Sequence, residues 1–157
     1  MNAVGELLTL DDVRLDFDVS NKEGLLGEIA ALLAVRNGLS RAQILESLVA
    51  REQLGSTGVG HGVAIPHART DRCAAPAAVF MRTRVAIPFD APDGKPVSLF
   101  LGLIVPNRAT ERHLLILSTA AAMFSDKALR EKLRAGDNPS AILELLAGWA
   151  EAPATPA

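Results

Sequence analysis

The ten residues VSLFLGLIVP, Val97–Pro106, contain one hydroxyl group and no charge. A strand this apolar can show neither face to water, so it belongs in the middle of a sheet with other structure packed on both sides. The segment before it, AAVFMRTRVAI, also reads as a strand. The link between them, DAPDGKP, holds Asp93-Gly94, a turn signal that predicts a hairpin-like connection. Two strands of this kind constrain the remainder of the chain to supply the covering layers.

Helical patterns on both sides of the pair meet that demand. Ser20 with Glu23 forms a capping box, and Leu25, Leu26, Ile29, Leu32 and Leu33 follow at helical spacing up to a stop at Asn37-Gly38. Ser40 with Gln43 repeats the box before Ile44, Leu45, Leu48 and Val49, and this second helix should end near Gly55. Beyond the strands, Thr110 or a neighbour caps a helix through Leu114, Leu115, Leu117, Ala121 and Phe124. Ser125 starts another that closes at Gly136, and Asn138-Pro139 opens a last one through Ile142, Leu143, Leu145 and Leu146. The sum is an α/β domain with a mixed sheet covered by helices. Its 157 residues suit one domain, and 49% apolar residues suffice for a core. With aromatics at 4% and no Tyr, that core is built from Leu, Ile, Val and Ala. The closing EAPATPA reads as a disordered tail.

Charge and composition narrow the function classes. Sixteen Lys and Arg face eighteen Asp and Glu, a net charge of −2 with no long run of one sign, which argues against a nucleic-acid or membrane-surface binder. Cys73 has no partner for an internal disulfide, which fits a reducing compartment. No apolar stretch approaches the roughly 20 residues that span a bilayer, and the acidic N-terminus lacks a signal-peptide pattern. These features predict a soluble cytoplasmic domain without membrane insertion.

Against this ordinary background one stretch stands out: GSTGVGHGVAIPHAR, residues 55–69, with its glycines, a proline and two histidines. The glycines permit positive φ and let backbone N–H groups approach an anion closely. Pro66 fixes the backbone before His67 and restricts Ile65 to extended conformations, so VAIPH reads as a short strand delivering His67 to the surface at its end. Arg51 and Arg69 are near enough in sequence to add positive charge. A positioned imidazole with backbone donors and a guanidinium suits transient bonding to a phosphoryl group. The ring nitrogen is then the nucleophile, and the donors stabilise charge on the equatorial oxygens. On the residues alone other readings stay open. The glycines lack the Gly-Lys-Ser/Thr of a nucleotide loop. His61, His67 and His113 are conceivable zinc ligands, without the helical spacing of a zincin. A glycine-rich turn with locally hydrogen-bonded histidines is the plainest alternative.

The string REQLGSTGVGHGVAIPHAR also resembles the active-site segment of the fructose/mannitol-type enzyme IIA domains of the bacterial phosphotransferase system, above all the nitrogen-regulatory branch. IPFDAPDGKPVSLFLGLIVP and ATERHLLILSTAA extend the resemblance from about residue 8 to residue 148. It implies a single domain over residues 1–150, with a mixed five-stranded sheet flanked by helices and a tail at 151–157. It further implies a phosphocarrier that accepts a phosphoryl group from the carrier protein HPr or its nitrogen-branch paralogue, acting as a phosphotransferase component rather than a stand-alone enzyme. His67 matches the phosphorylated histidine, modified on Nε2, and His113 the second histidine that positions it. Arg51 matches an arginine beside the site; Ser56, Thr57 and Gly58 are candidates for a phosphoryl loop, and turn formation explains Ser56 and Thr57 equally well. His61 stands where relatives carry Asn and is peripheral. Arg69 replaces a common Lys and reads as a solvated charge, and Asp90 and Asp93 read as turn formers. No cofactor or metal is implied. The regulatory reading binds targets according to phosphorylation state, and relatives act on potassium uptake and sensor kinases. A sugar-specific component that passes the group to a IIB domain is the alternative within the family.

Overall fold

The computed structural model describes residues 2–108 and 110–151, with the backbone alone at Thr110. The apolar stretch lies where its composition demands. β6 (Val97–Pro106) pairs antiparallel with β5 (Ala77–Ile87), and β1 (Val13–Phe17) runs parallel to β5 on its far side. Along the other edge of β6 two short strands follow one another, both parallel to it. β3 (Val63–Ala64) lies against Leu99 and Phe100, and β4 (His67–Thr70) against Leu103 to Pro106. β2 (Gly58–Gly60) closes the sheet antiparallel to β3. The sheet therefore has six strands in five positions. The five-stranded expectation differs from this by the break at Ile65-Pro66, where proline has no N–H to continue the ladder.

Alternation along β6 sorts its side chains between two cores. Phe100 and Ile104 face α1 (Lys22–Asn37) and α2 (Arg41–Gln53), together with Val79 and Met81 of β5. Leu99, Leu101, Leu103 and Val105 face the opposite layer of α3 (Thr110–Ser125), α4 (Lys127–Ala135) and α5 (Pro139–Gly148). Each fully buried Leu or Phe contributes about 2 kcal/mol to this three-layer packing. Gly102 lets α1 press onto the strand: a Cβ there would sit 2.5 Å from Ile29 Cγ2.

The helix ends follow hydrogen-bond chemistry, in two cases one residue from the expected cap. Asn21, rather than Ser20, caps α1 by accepting from the Gly24 N–H at 2.7 Å. Asp126, rather than Ser125, caps α4, its carboxylate reaching two N–H groups while the Ser125 hydroxyl turns back to the Ala121 carbonyl. In both places the capping side chain lies one position later, and Asp126 satisfies two donors. Ser40 and Asn138 cap α2 and α5 as expected, and Gly38 ends α1 in the left-handed region at φ 65°. β1 and β2 were not apparent from the pattern, since β1 alternates with Arg14 and Asp16 and β2 is glycine at both ends. The Thr110 cap and residues 152–157 of the expected tail lie outside the described residues.

Candidate functional site

The glycine-rich bend is a tightly folded hairpin at the edge of the sheet. Gly60, His61 and Gly62 all take positive φ (89°, 57° and 77°), which reverses the chain from β2 into β3. Gly58 is needed for space instead, because a Cβ there would meet that of Ala91 at 2.8 Å. The expectation that VAIPH is one strand ending at His67 is corrected: Val63–Ala64 stops at the proline, and His67 opens β4. The break serves the imidazole. It leaves the Ile65 carbonyl free of the ladder and 2.6 Å from His67 Nδ1. A carbonyl can only accept, so Nδ1 carries the proton, and in the neutral ring Nε2 presents its lone pair. Burial is the main cause holding the His67 pKa below 6.5; the Arg51 charge adds to it, while the Ile65 bond and Glu52 oppose it. His67 is therefore neutral at neutral pH.

α3 brings the second imidazole. His113 lies in its first turn, where the helix dipole favours an anion, and its ring centre is 5.9 Å from that of His67, tilted by 52°. Its Nδ1 is buried with no hydrogen-bond partner. Burial, then the charges of His67 and Arg69, lower its pKa as well.

The loop between α2 and β2 is held from within. Arg51, at the C-terminal end of α2, donates from Nη1 to the Gly55 carbonyl at 2.8 Å and is close enough to act on His67. Ser56 donates to the Phe89 carbonyl at 2.8 Å and accepts from the Gly58 N–H at 3.0 Å. The Thr57 N–H donates to both oxygens of Glu52, at 2.9 and 3.1 Å, and its hydroxyl donates to the same carboxylate. Lys22 of α1 lies 3.3 Å from Glu52 and 3.5 Å from Asp90. Glu52 and Lys22 were missed in the sequence. One signal was available: a carboxylate in the last turn of a helix opposes the dipole, so a buried one there requires a specific partner.

The remaining candidates separate from His67. The exposed His61 donates its N–H to Asp93 Oδ2 at 3.1 Å and accepts at its carbonyl from Arg134. Asp93 thus ties the β5–β6 turn to the bend, besides shaping its own turn with Lys95. Asp90 takes a positive φ of 55° in the same connection. Arg69 is exposed and donates to the Asn107 carbonyl at 2.8 Å. Cys73 is buried, and burial raises its pKa. Among the described residues no three His, Cys, Asp or Glu side chains are grouped to hold a metal ion, and no helix is long and apolar enough to cross a membrane.

A three-layer α/β domain that offers one imidazole with a fixed tautomer beside a second imidazole is equipped as a histidine phosphocarrier. Residues 6–148 match the family described as phosphoenolpyruvate-dependent sugar phosphotransferase system, EIIA 2, and the chain belongs to that family. It is 42% identical over 127 residues to a nitrogen regulatory protein of Pseudomonas aeruginosa, covering 80% of this chain and 82% of the relative. A fructose-specific EIIA component of Haloferax volcanii is 35% identical, with 92% and 94% covered. The crystal structure of the nitrogen regulatory protein IIA-Ntr of Neisseria meningitidis superposes with a TM-score of 0.88 at 45% identity, covering 91% of this chain and 98% of that one.

Proposed function

We propose that this protein takes a phosphoryl group onto Nε2 of His67 from a histidine-phosphorylated carrier protein of the HPr type, and that its phosphorylation state controls the proteins it binds. The observation that carries the assignment is the bond from His67 Nδ1 to the Ile65 carbonyl, which leaves the lone pair on Nε2. In the transfer that lone pair forms the new nitrogen–phosphorus bond while the bond to the donor imidazole breaks in line, leaving the electron pair on the donor nitrogen. Donor and acceptor bonds are of one kind, so positioning and charge stabilisation are the protein's contribution. His113 and Arg51 would steady the charge on the phosphoryl oxygens. Ser56, Thr57 and Gly58 act as the frame that holds the loop, because the donors described above point into the protein. A donor protein needs a shallow apolar landing area, and the exposed Leu54, Val59 and Leu114 flank the site residues in the chain.

Similarity to nitrogen regulatory proteins supports a regulatory output. Targets of the kind served by relatives, a potassium transporter or a sensor kinase, are the first to test. The Haloferax relative keeps a second reading in view, transfer onward to a sugar-specific IIB domain. The direct experiment is intact-mass analysis after incubation with phosphoenolpyruvate, enzyme I and HPr. One acid-labile phosphoryl group on the wild type and none on His67→Ala is the expected result. Modification that survives in His67→Ala would overturn the assignment, and rapid loss of the group to an added IIB domain would favour the sugar reading.

A further inference from the structure

Away from His67, a cleft of about 480 Å³ opens between the β2–β3 turn, the β5–β6 turn and α4. Neither His67, His113 nor Arg51 lines it. α4 contributes Lys127, Arg130 and Arg134 from one face, and Lys95 comes from the opposite wall. Glu131 is the one carboxylate on the lining, 4.0 Å from Lys127. Four cations against one anion leave a surplus of three positive charges (4 − 1 = 3). Among the described residues no ion pair joins Lys95, Arg130 or Arg134 to a carboxylate.

Two of these cations are built in. Arg130 is only 7% exposed and donates from Nη1 to the Phe124 carbonyl at 2.9 Å, which anchors the guanidinium beside the cleft. Arg134 donates to the His61 carbonyl, and Gly62, at φ 77°, lies so close beneath it that a Cβ would be 2.6 Å from Nη2. Arg82 donates to the carbonyls of Leu133 and Gly136, fixing the C-terminal end of the same helix. Desolvation, and then the charge of Arg130, lower the Arg134 pKa, while the charge of Glu131 opposes them. Arg130 is the buried cation and Arg134 the exposed one beside it; burying a guanidinium is costly, and the neighbouring charge adds repulsion that Glu131 offsets only in part. An anion placed between them relieves both, and guanidinium forks match phosphate oxygens in bidentate geometry.

The geometry points to a second binding site in this cleft, for the di- or triphosphate group of a metabolite. A single carboxylate would leave most of the positive charge unmatched, and the volume is larger than one phosphate needs. The site is independent of phosphoryl transfer at His67.

The test is calorimetric titration of the intact protein with inorganic pyrophosphate at low ionic strength, with citrate as the carboxylate control. Saturable binding at one site is expected, weakened about tenfold or more in Arg134→Gln by loss of a charge-assisted contact. Lys95→Glu, on an exposed turn that does not disturb the fold, should weaken it as well, and His67→Ala should bind like the wild type. Absence of saturable binding, equal affinity in both charge variants and the wild type, or binding lost in His67→Ala would each overturn the proposal. Citrate binding as tight as that of pyrophosphate would overturn the phosphate class.

Discussion

The two histidines at the sheet edge lie 5.9 Å apart, and the protein treats them oppositely. His67 is bound through Nδ1 to a carbonyl that a proline break has released from the sheet, so its tautomer and ring direction are set. His113 rides on the first turn of a helix with a buried nitrogen that has no partner. An orphaned buried acceptor or donor costs about 1–3 kcal/mol. A nucleophile needs one lone pair aimed one way.

Replacing each ring in turn should separate these roles with the largest effects in the molecule. His67→Ala should accept no phosphoryl group. His113→Ala should still accept one, about a hundredfold more slowly, as expected for removal of one charge-stabilising group. Quench-flow phosphorylation by phospho-HPr gives both rates. Equal and complete loss in the two variants would mean that the rings act as one unit and that the comparison fails.

The second-largest effect should fall on the side of His67 alone, because its loop depends on Glu52. Glu52→Ala removes the acceptor for the Thr57 N–H and hydroxyl and one of the two carboxylates beside Lys22, leaving it only the exposed Asp90. Breaking a network of this kind costs about 2–4 kcal/mol. Denaturant unfolding should report that loss, and amide exchange should show it concentrated at residues 55–60 with α3 unaffected. Uniform loosening of both regions would show that the loop is not a separate unit.

The fold was largely legible because hydrophobic pattern and fold agree along most of the chain. β5 and β6 have the ends that the sequence suggests, and Ser40, Gly38 and Asn138 mark helix ends through local chemistry. Where reading failed, the cause was local ambiguity or long range. Ser20 beside Asn21 and Ser125 beside Asp126 are competing caps that only backbone geometry separates. β1 shows half a face to solvent and carries charges there. At the candidate site, a resemblance pointed to His67 and His113, whose rings the structure brings together, and the proline suggested positioning. The direction of the ring was hidden, because it depends on where one carbonyl points. Glu52 and Lys22 were hidden because their pairing joins α2 to α1 through space.

Acidity offers a finer division. Folding depresses the pKa of both histidines below 6.5, chiefly by burial. The unfolded chain therefore binds protons that the folded one refuses, and stability should fall as pH drops below about 6.5 toward the folded-state values. Above 6.5 both states are neutral and these groups add no slope. His67→Gln should remove its own share of the acid loss and part of the share of His113, whose pKa the His67 charge helps to lower. Urea midpoints across this pH range would show it, and an unchanged slope would place the proton uptake elsewhere.

The smallest effects come from the neighbours of His67, and they should have opposite signs. Arg51 lowers the His67 pKa by its charge, while Glu52 raises it, both behind burial in importance. Arg51→Gln should therefore move the titration of His67 upward and Glu52→Gln downward, each modestly, as read from imidazole resonances by NMR. The tautomer should not change in either variant, since the Ile65 carbonyl still takes the Nδ1 proton. His113 should follow neither substitution closely, because its shift depends on burial, His67 and Arg69. Shifts of one sign in both variants would mean that the loop had moved and that charge was not the cause. Opposite shifts confined to His67 would make the difference between the two rings an electrostatic property of the α2–β2 loop as well as a geometric one.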